Sequence, residues 1–112
     1  DLCTFIAPAL VQRGPLQVAI STSGESPYLA KAVKGMVERL LGEEWAPFVA
    51  LLGEARRRLR DAGVPLPVQL ALYERLLASS ARDSLRRGEY AAAEAKVESA
   101  VSAALERARR AA

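Results

Sequence analysis

From Leu16 to Ser21 the positions alternate, with Leu16, Val18 and Ile20 apolar against Gln17, Ala19 and Ser21. That two-residue period is the mark of a half-buried strand. An earlier extended run, Phe5 to Gln12, precedes it across Arg13-Gly14-Pro15. Pro8 lies inside this run; having no N–H to give a ladder, it predicts an edge, a bulge or a kink there. Two strands alone are marginal in water, so the pair is expected to need company from a partner chain or a further sheet.

After Gly24 the period becomes helical. Leu29, Val33, Met36, Val37, Leu40 and Leu41 form one apolar stripe, with Lys31, Lys34, Glu38 and Arg39 mostly elsewhere. Ser26 suits the N-cap, Pro27 the first helical position, and Gly42 the stop. A second helix is expected from about Trp45 to Arg60, burying Trp45, Phe48, Val49, Leu52, Ala55 and Leu59, and ending at Asp61-Ala62-Gly63. A third, from about Pro67 to Ser79, carries Leu70, Tyr73, Leu76 and Leu77 on its expected inner face. The stretch "SARDSLRRGEY" reads as a short turn or helix punctuated by Gly88. A last helix, from about Tyr90 to Arg110, spaces Val97, Val101 and Leu105 by four. The predicted fold is mainly α with a small N-terminal β-hairpin. Residues 1–42 form a hairpin-plus-helix region and 43–112 a C-terminal helical domain.

Composition narrows the chemistry. The chain has 112 residues, about half of them apolar and a quarter charged, which describes a folded globular chain. No apolar run approaches the ~20 residues of a membrane span, so no membrane partner is expected. The chain opens at Asp1 without a secretory leader or an initiating Met, which is read as a fragment, and its cysteine usage as that of a cytoplasmic protein. Cys3 is the single cysteine and histidine is absent. An internal disulfide, a Cys/His zinc site and a Ser/His catalytic pair are therefore excluded. Cys3 has no activating neighbour in sequence and is expected to be a small, unreactive residue. The net charge of +3 is carried mostly by arginine, densest at Arg56-Arg57-Arg58-Leu59-Arg60 and Arg107-Ala108-Arg109-Arg110. Aromatic residues do not interleave with these clusters, so no nucleic-acid partner is expected. On a helix that buries Ala55 and Leu59, the first cluster falls on a solvated face. Glu43-Glu44 suits the positive end of the second helix, and Tyr73 and Tyr90 are expected at the edge of the core.

One loop has site-like chemistry. Ser21, Thr22, Ser23, Gly24 and Ser26 join the strand to the helix, with Lys31 and Lys34 one and two turns along. Unsatisfied N–H groups at a helix N-terminus attract phosphate or carboxylate, and hydroxyls add donors. Equally, Ser26 caps the helix while the other hydroxyls are solvated, as is ordinary in turns. Neither a P-loop spacing nor a GxGxxG fingerprint occurs, so the usual strand–turn–helix device for NAD is absent.

The phrase "FIAPALVQRGPLQVAISTSGESPYLAKAVKGMVERLL" resembles the central segment of the precorrin-2 dehydrogenase/sirohydrochlorin ferrochelatase family, the N-terminal module of siroheme synthases. Phe5, Ile6, Pro8, Arg13, Pro15, Leu16, Val18, Ala19, Ile20, Ser21, Gly24, Ser26, Pro27, Leu29 and Ala30 match the family phrase, over roughly residues 3–42. The resemblance implies a Rossmann domain upstream, a dimerisation region of strands and helix, and a C-terminal helical domain. It implies NAD-dependent oxidation of precorrin-2 to sirohydrochlorin, with iron insertion in bifunctional members. This chain would hold only the last two parts. NAD and the catalytic aspartate belong upstream, so no catalytic residue, cofactor or metal ligand is expected here and the piece alone should be inactive.

The resemblance further implies a tetrapyrrole substrate bearing eight carboxylates, bound at Ser21, Thr22, Ser23, Gly24 and Ser26 with Lys31 helping, and a homodimer through the N-terminal strands. The serine that some members phosphorylate aligns with Thr22. The alternative is a non-catalytic helical interaction module, on the strength of "LRRGEYAAAEAKVESAVSAALERA", which looks like part of a helical-repeat hairpin.

Overall fold

Gly14 and Pro15 close the first pair of elements. Gly14 has φ of +59°, while the proline ring next to it permits only negative φ, a combination that fits a type II′ hairpin turn. The turn joins β1 (Ala9–Arg13) to β2 (Leu16–Ile20) in antiparallel register, with Ala9 opposite Ile20, Val11 opposite Val18 and Arg13 opposite Leu16. β1 starts directly after Pro8, where the chain regains its backbone donors. The computed structural model describes residues 7–111; Cys3, Phe5 and Ile6 lie outside them, with the expectations attached to them.

Five helices follow: α1 (Pro27–Leu40), α2 (Trp45–Asp61), α3 (Leu66–Ala78), α4 (Ala81–Arg86) and α5 (Tyr90–Ala111). The fold is mainly α with an N-terminal hairpin, as the periodicity predicts. The chain divides into two compact units, the first ending at Ala46 and the second beginning at Pro47.

In the first unit α1 packs on the hairpin, mainly on β1. Among the described residues of this unit Val11 is the one buried apolar side chain. The predicted stripe on α1 exists, but none of it is buried. Val33, Val37 and Leu41 are half-covered, whereas Leu29, Met36 and Leu40 are exposed, Leu40 by 77%. Polar ties complete the unit. Arg13 donates from Nε to the Leu41 carbonyl at 2.7 Å and from a terminal nitrogen to the Glu38 carbonyl at 3.2 Å. These are carbonyls that a helix C-terminus leaves without intrahelical partners.

The second unit has a conventional core. Leu51, Ala55 and Leu59 of α2, Val64, Leu72 and Leu76, and Ala93, Val97, Val101 and Ala104 of α5 form one buried cluster. α2 ends as its sequence predicts. Gly63 adopts φ of +71° and donates to the Arg60 carbonyl, and Val64 donates to the Leu59 carbonyl. This is a Schellman motif, in which the residue after the glycine packs back on the helix, and Val64 is accordingly buried. The same pair of bonds recurs at Gly88 and Glu89, which end α4. Ser84 of α4 is wholly buried, and its hydroxyl accepts from Lys96 Nζ at 2.8 Å.

Two expected inner faces are rotated. In α2 the buried set is Phe48, Leu51, Ala55 and Leu59, with Trp45, Val49 and Leu52 half-buried. In α3 Leu72 and Leu76 are buried while Leu70 and Leu77 stand about half exposed. α3 carries leucine at 66, 70, 72, 76 and 77, nearly all round the helix, so spacing alone does not select a face. Tyr73 lies at the core edge and donates to Gln69 Oε1, whereas Tyr90 is half exposed. The arginines at 56, 57, 58 and 60 are exposed as predicted, and Arg58 grips Glu98 of α5 through both carboxylate oxygens, at 2.5 and 3.3 Å.

Leu59→Ala is expected to cost about 2–5 kcal/mol, whereas Leu70→Ala should stay within about 0.5 kcal/mol; chemical denaturation of the two variants checks the face assignment. The Arg58 hydrogen bond, aided by its charge, holds the Glu98 carboxyl below its ordinary range against a smaller opposing effect of burial. A folded pKa below the unfolded one means the pair stabilises above the unfolded pKa and ceases to as pH falls through the folded one. Acid titration of the denaturation midpoint should therefore show a small decline below the usual carboxylate range that Glu98→Gln removes, small because the pair is solvent-exposed.

Candidate functional site

The loop between β2 and α1 is shaped by its own hydroxyls. The Glu25 N–H donates to the Thr22 carbonyl at 3.1 Å, enclosing Ser23 and Gly24, both at positive φ (57° and 82°). Two successive residues of that kind make a type I′ turn. Thr22 Oγ1 donates to the Ser26 carbonyl at 3.2 Å and accepts from the Ser26 N–H at 3.0 Å. Ser21 Oγ accepts from the Ser23 N–H. Ser26 is the N-cap, its hydroxyl accepting from the Leu29 N–H at 3.1 Å, with Pro27 following in the first turn. The capping expectation from sequence therefore holds.

Beside this loop lies a cavity of about 330 Å³. Of the residues singled out in sequence, Ser21, Thr22, Gly24 and Lys31 line it, and Ser23 and Ser26 do not. Ser26 is committed to the cap and Ser23 is exposed. Lys34 joins Lys31 on the helical wall, and neither forms an ion pair among the described residues. The strand side is apolar, lined by Ala7, Pro8, Ala9 and Ile20, and Pro27 and Ala30 of α1 add apolar surface beside the lysines on the helical side. Sequence reasoning had not assembled this wall. Its only signal was that Pro8 and Ile20 sit at the paired ends of the two strands.

The donor set differs from the one the loop composition implies. Thr22 spends both hydroxyl functions on Ser26, and the Ser26 and Leu29 N–H groups are already partnered by side chains. The side-chain donors that remain for an anion are the Ser21 hydroxyl proton and the two lysine ammonium groups, near the positive end of α1. The site is a half-apolar cleft with a cationic flank. It suits a flat or bulky apolar body carrying carboxylates.

A larger hollow of about 580 Å³ lies in the second unit, between the α2–α3 connection and the end of α5. It is lined by Ala62, Gly63, Val64, Pro65, Leu105, Ala108, Arg109 and Ala111 and gathers no reactive group beyond Arg109, which pairs with Glu106. Among the described residues no three His, Cys, Asp or Glu side chains are grouped to hold a metal ion, and no helix is long and apolar enough to cross a membrane.

A hairpin with one helix, followed by a helical unit, with a lysine-flanked cleft beside the first helix, defines a mainly α module. A family model described as the sirohaem biosynthesis protein central region matches residues 13–40, the span from Arg13 to the end of α1. The siroheme synthase of Thiobacillus denitrificans is 36% identical over 100 residues, covering 89% of this chain and 21% of that protein. That of Hydrogenovibrio crunogenus is 32% identical over 98 residues, covering 88% of this chain and 21% of the relative. Among solved structures, SirC, a precorrin-2 dehydrogenase, superposes with a TM-score of 0.66 at 26% identity, over 85% of this chain and 47% of that one. The chain belongs to the siroheme synthase/precorrin-2 dehydrogenase family. It spans about a fifth of the length of the curated relatives it matches.

Proposed function

We propose that this chain is the dimerisation and C-terminal helical part of an enzyme that oxidises precorrin-2 to sirohydrochlorin with NAD. In this reading the cleft beside α1 receives one carboxylate-bearing edge of the tetrapyrrole. The observation that carries the proposal is the pairing of Lys31 and Lys34, without ion-pair partners among the described residues, against an apolar wall in one 330 Å³ cavity. A tetrapyrrole presents the complementary combination, an apolar macrocycle rimmed by eight carboxylates. Charge-assisted contacts to carboxylates are the stronger class of hydrogen bond. NAD and the catalytic aspartate are assigned to a preceding domain. The α4–α5 pair behind the scaffold alternative shares one core with α2 and α3, which favours a domain of an enzyme over a free-standing repeat.

Dimerisation follows from the first unit's exposed surface. α1 leaves Leu29, Met36 and Leu40 in solvent, and among the described residues no further strand pairs with either edge of the two-stranded sheet. A second copy across a two-fold axis would cover this apolar face and extend the sheet.

Titration of the chain with sirohydrochlorin, followed by absorbance, tests the site. Lys31→Gln with Lys34→Gln should weaken binding about tenfold or more, each such contact being worth roughly 1.5 kcal/mol or above, and high salt should weaken the unsubstituted chain likewise. Binding indifferent to both would overturn the assignment. Light scattering tests the assembly: the expected mass is twice that of one chain, and Leu29→Glu with Met36→Glu should halve it. A stable monomer of the unsubstituted chain would count against the shared-strand arrangement.

A further inference from the structure

The cavity sits where the two strands begin and end, at Ala9 and Ile20, against the first turns of α1. The other end of the same layer is the hairpin turn, about 13 Å along β1 at ~3.3 Å per residue. There Arg13 clasps the last carbonyls of α1, Leu41 at 2.7 Å and Glu38 at 3.2 Å, while a further guanidinium nitrogen donates to the Gln12 carbonyl at 2.9 Å. Arg13 does not line the cavity. We infer that Arg13 is a positioning residue for the cavity: its fork fixes the splay of the hairpin on α1 and so sets the distance between the strand side and the helical side that carries the lysines. This is an inference that rests, for its binding arm, on the cavity being the tetrapyrrole site.

Three observations support the inference. First, the hairpin and α1 are covalently joined only through the Ser21–Ser26 loop, which Thr22 ties at the cavity end. A single tie leaves a pivot, and a second at the far end removes it. Second, packing is a weak substitute for that second tie, because α1 meets the hairpin largely through half-covered side chains and Val11 is the one buried apolar side chain among the described residues of this unit. Third, the turn is seated closely: a Cβ on Gly14 would stand 3.0 Å from the Ala46 Cβ, so the hairpin tip also abuts the start of α2, five residues beyond the Leu41 carbonyl that Arg13 holds. A lysine would keep the charge but not the planar fork that spans two carbonyls.

The test places spin labels at the cavity end, at Leu10→Cys and Tyr28→Cys, both exposed and neither lining the cavity. Cys3→Ser removes the background thiol, and excess unlabelled chain dilutes any dimer. The Leu10–Tyr28 distance distribution should be narrow with Arg13, at least twice as broad with Arg13→Ala, and intermediate with Arg13→Lys. Sirohydrochlorin affinity should fall about fivefold with Arg13→Ala. An unchanged width with Arg13→Ala overturns the inference, as does a broadened distribution with unchanged affinity. Where Arg13→Ala loses helical signal, Arg13→Lys decides alone, and a width equal to that of the unsubstituted chain overturns the inference. If the unsubstituted chain binds no sirohydrochlorin, the cavity assignment fails, while the label distances still decide what the clasp does.

Discussion

The first unit is built under a shortage of burial. Among its described residues only Val11 is an apolar side chain removed from water, against the ten-residue cluster of the second unit. Two strands and one helix offer too little interior to be stabilised by the hydrophobic effect alone. The layer is instead tied at both ends by polar contacts, Thr22 to Ser26 at the loop and Arg13 to the α1 carbonyls at the turn. A net hydrogen bond contributes only about 0.5–1.5 kcal/mol. Such ties define geometry more than they supply stability, and the apolar face of α1 is left for something else to cover.

How far the sequence was legible depends on whether the deciding contact was local. The ends of α1, α2 and α4 were readable because their stops and caps lie within a few residues: Ser26-Pro27, the Gly63 motif and Gly88. The hairpin was readable from its alternation and from Gly14-Pro15. The inner face of α3 was not, because leucine surrounds that helix and only its packing within the unit selects Leu72 and Leu76. The family resemblance was legible from the Phe5-to-Ala30 phrase, although nothing in the phrase says what Arg13 does. Its carbonyl partners lie 25 and 28 residues away.

The site shows the same division. A cavity does adjoin the "STSGESP" loop that the sequence singles out, but which side chains face it was not legible. The loop's hydroxyls look like an array for an anion, yet Thr22 and Ser26 turn inward to build the turn and cap. Charge then falls to Lys31 and Lys34, whose spacing of three puts them on one side of the helix. The apolar wall comes from strand ends that the sequence separates by a dozen residues and the register brings together. A loop whose composition suggests an anion site is built largely as a frame, and the cationic groups beside the cavity come from the neighbouring helix.

Ser23 carries a consequence of its own. It is exposed and does not line the cavity, which ordinarily marks a position free to drift. Its φ of +57° removes that freedom. Glycine, asparagine and aspartate accept the left-handed region, whereas β-branched side chains resist it. The range of substitutions tolerated at position 23 is therefore narrow for a backbone reason, and a narrow range there across relatives would record the shape of the turn rather than contact with any ligand.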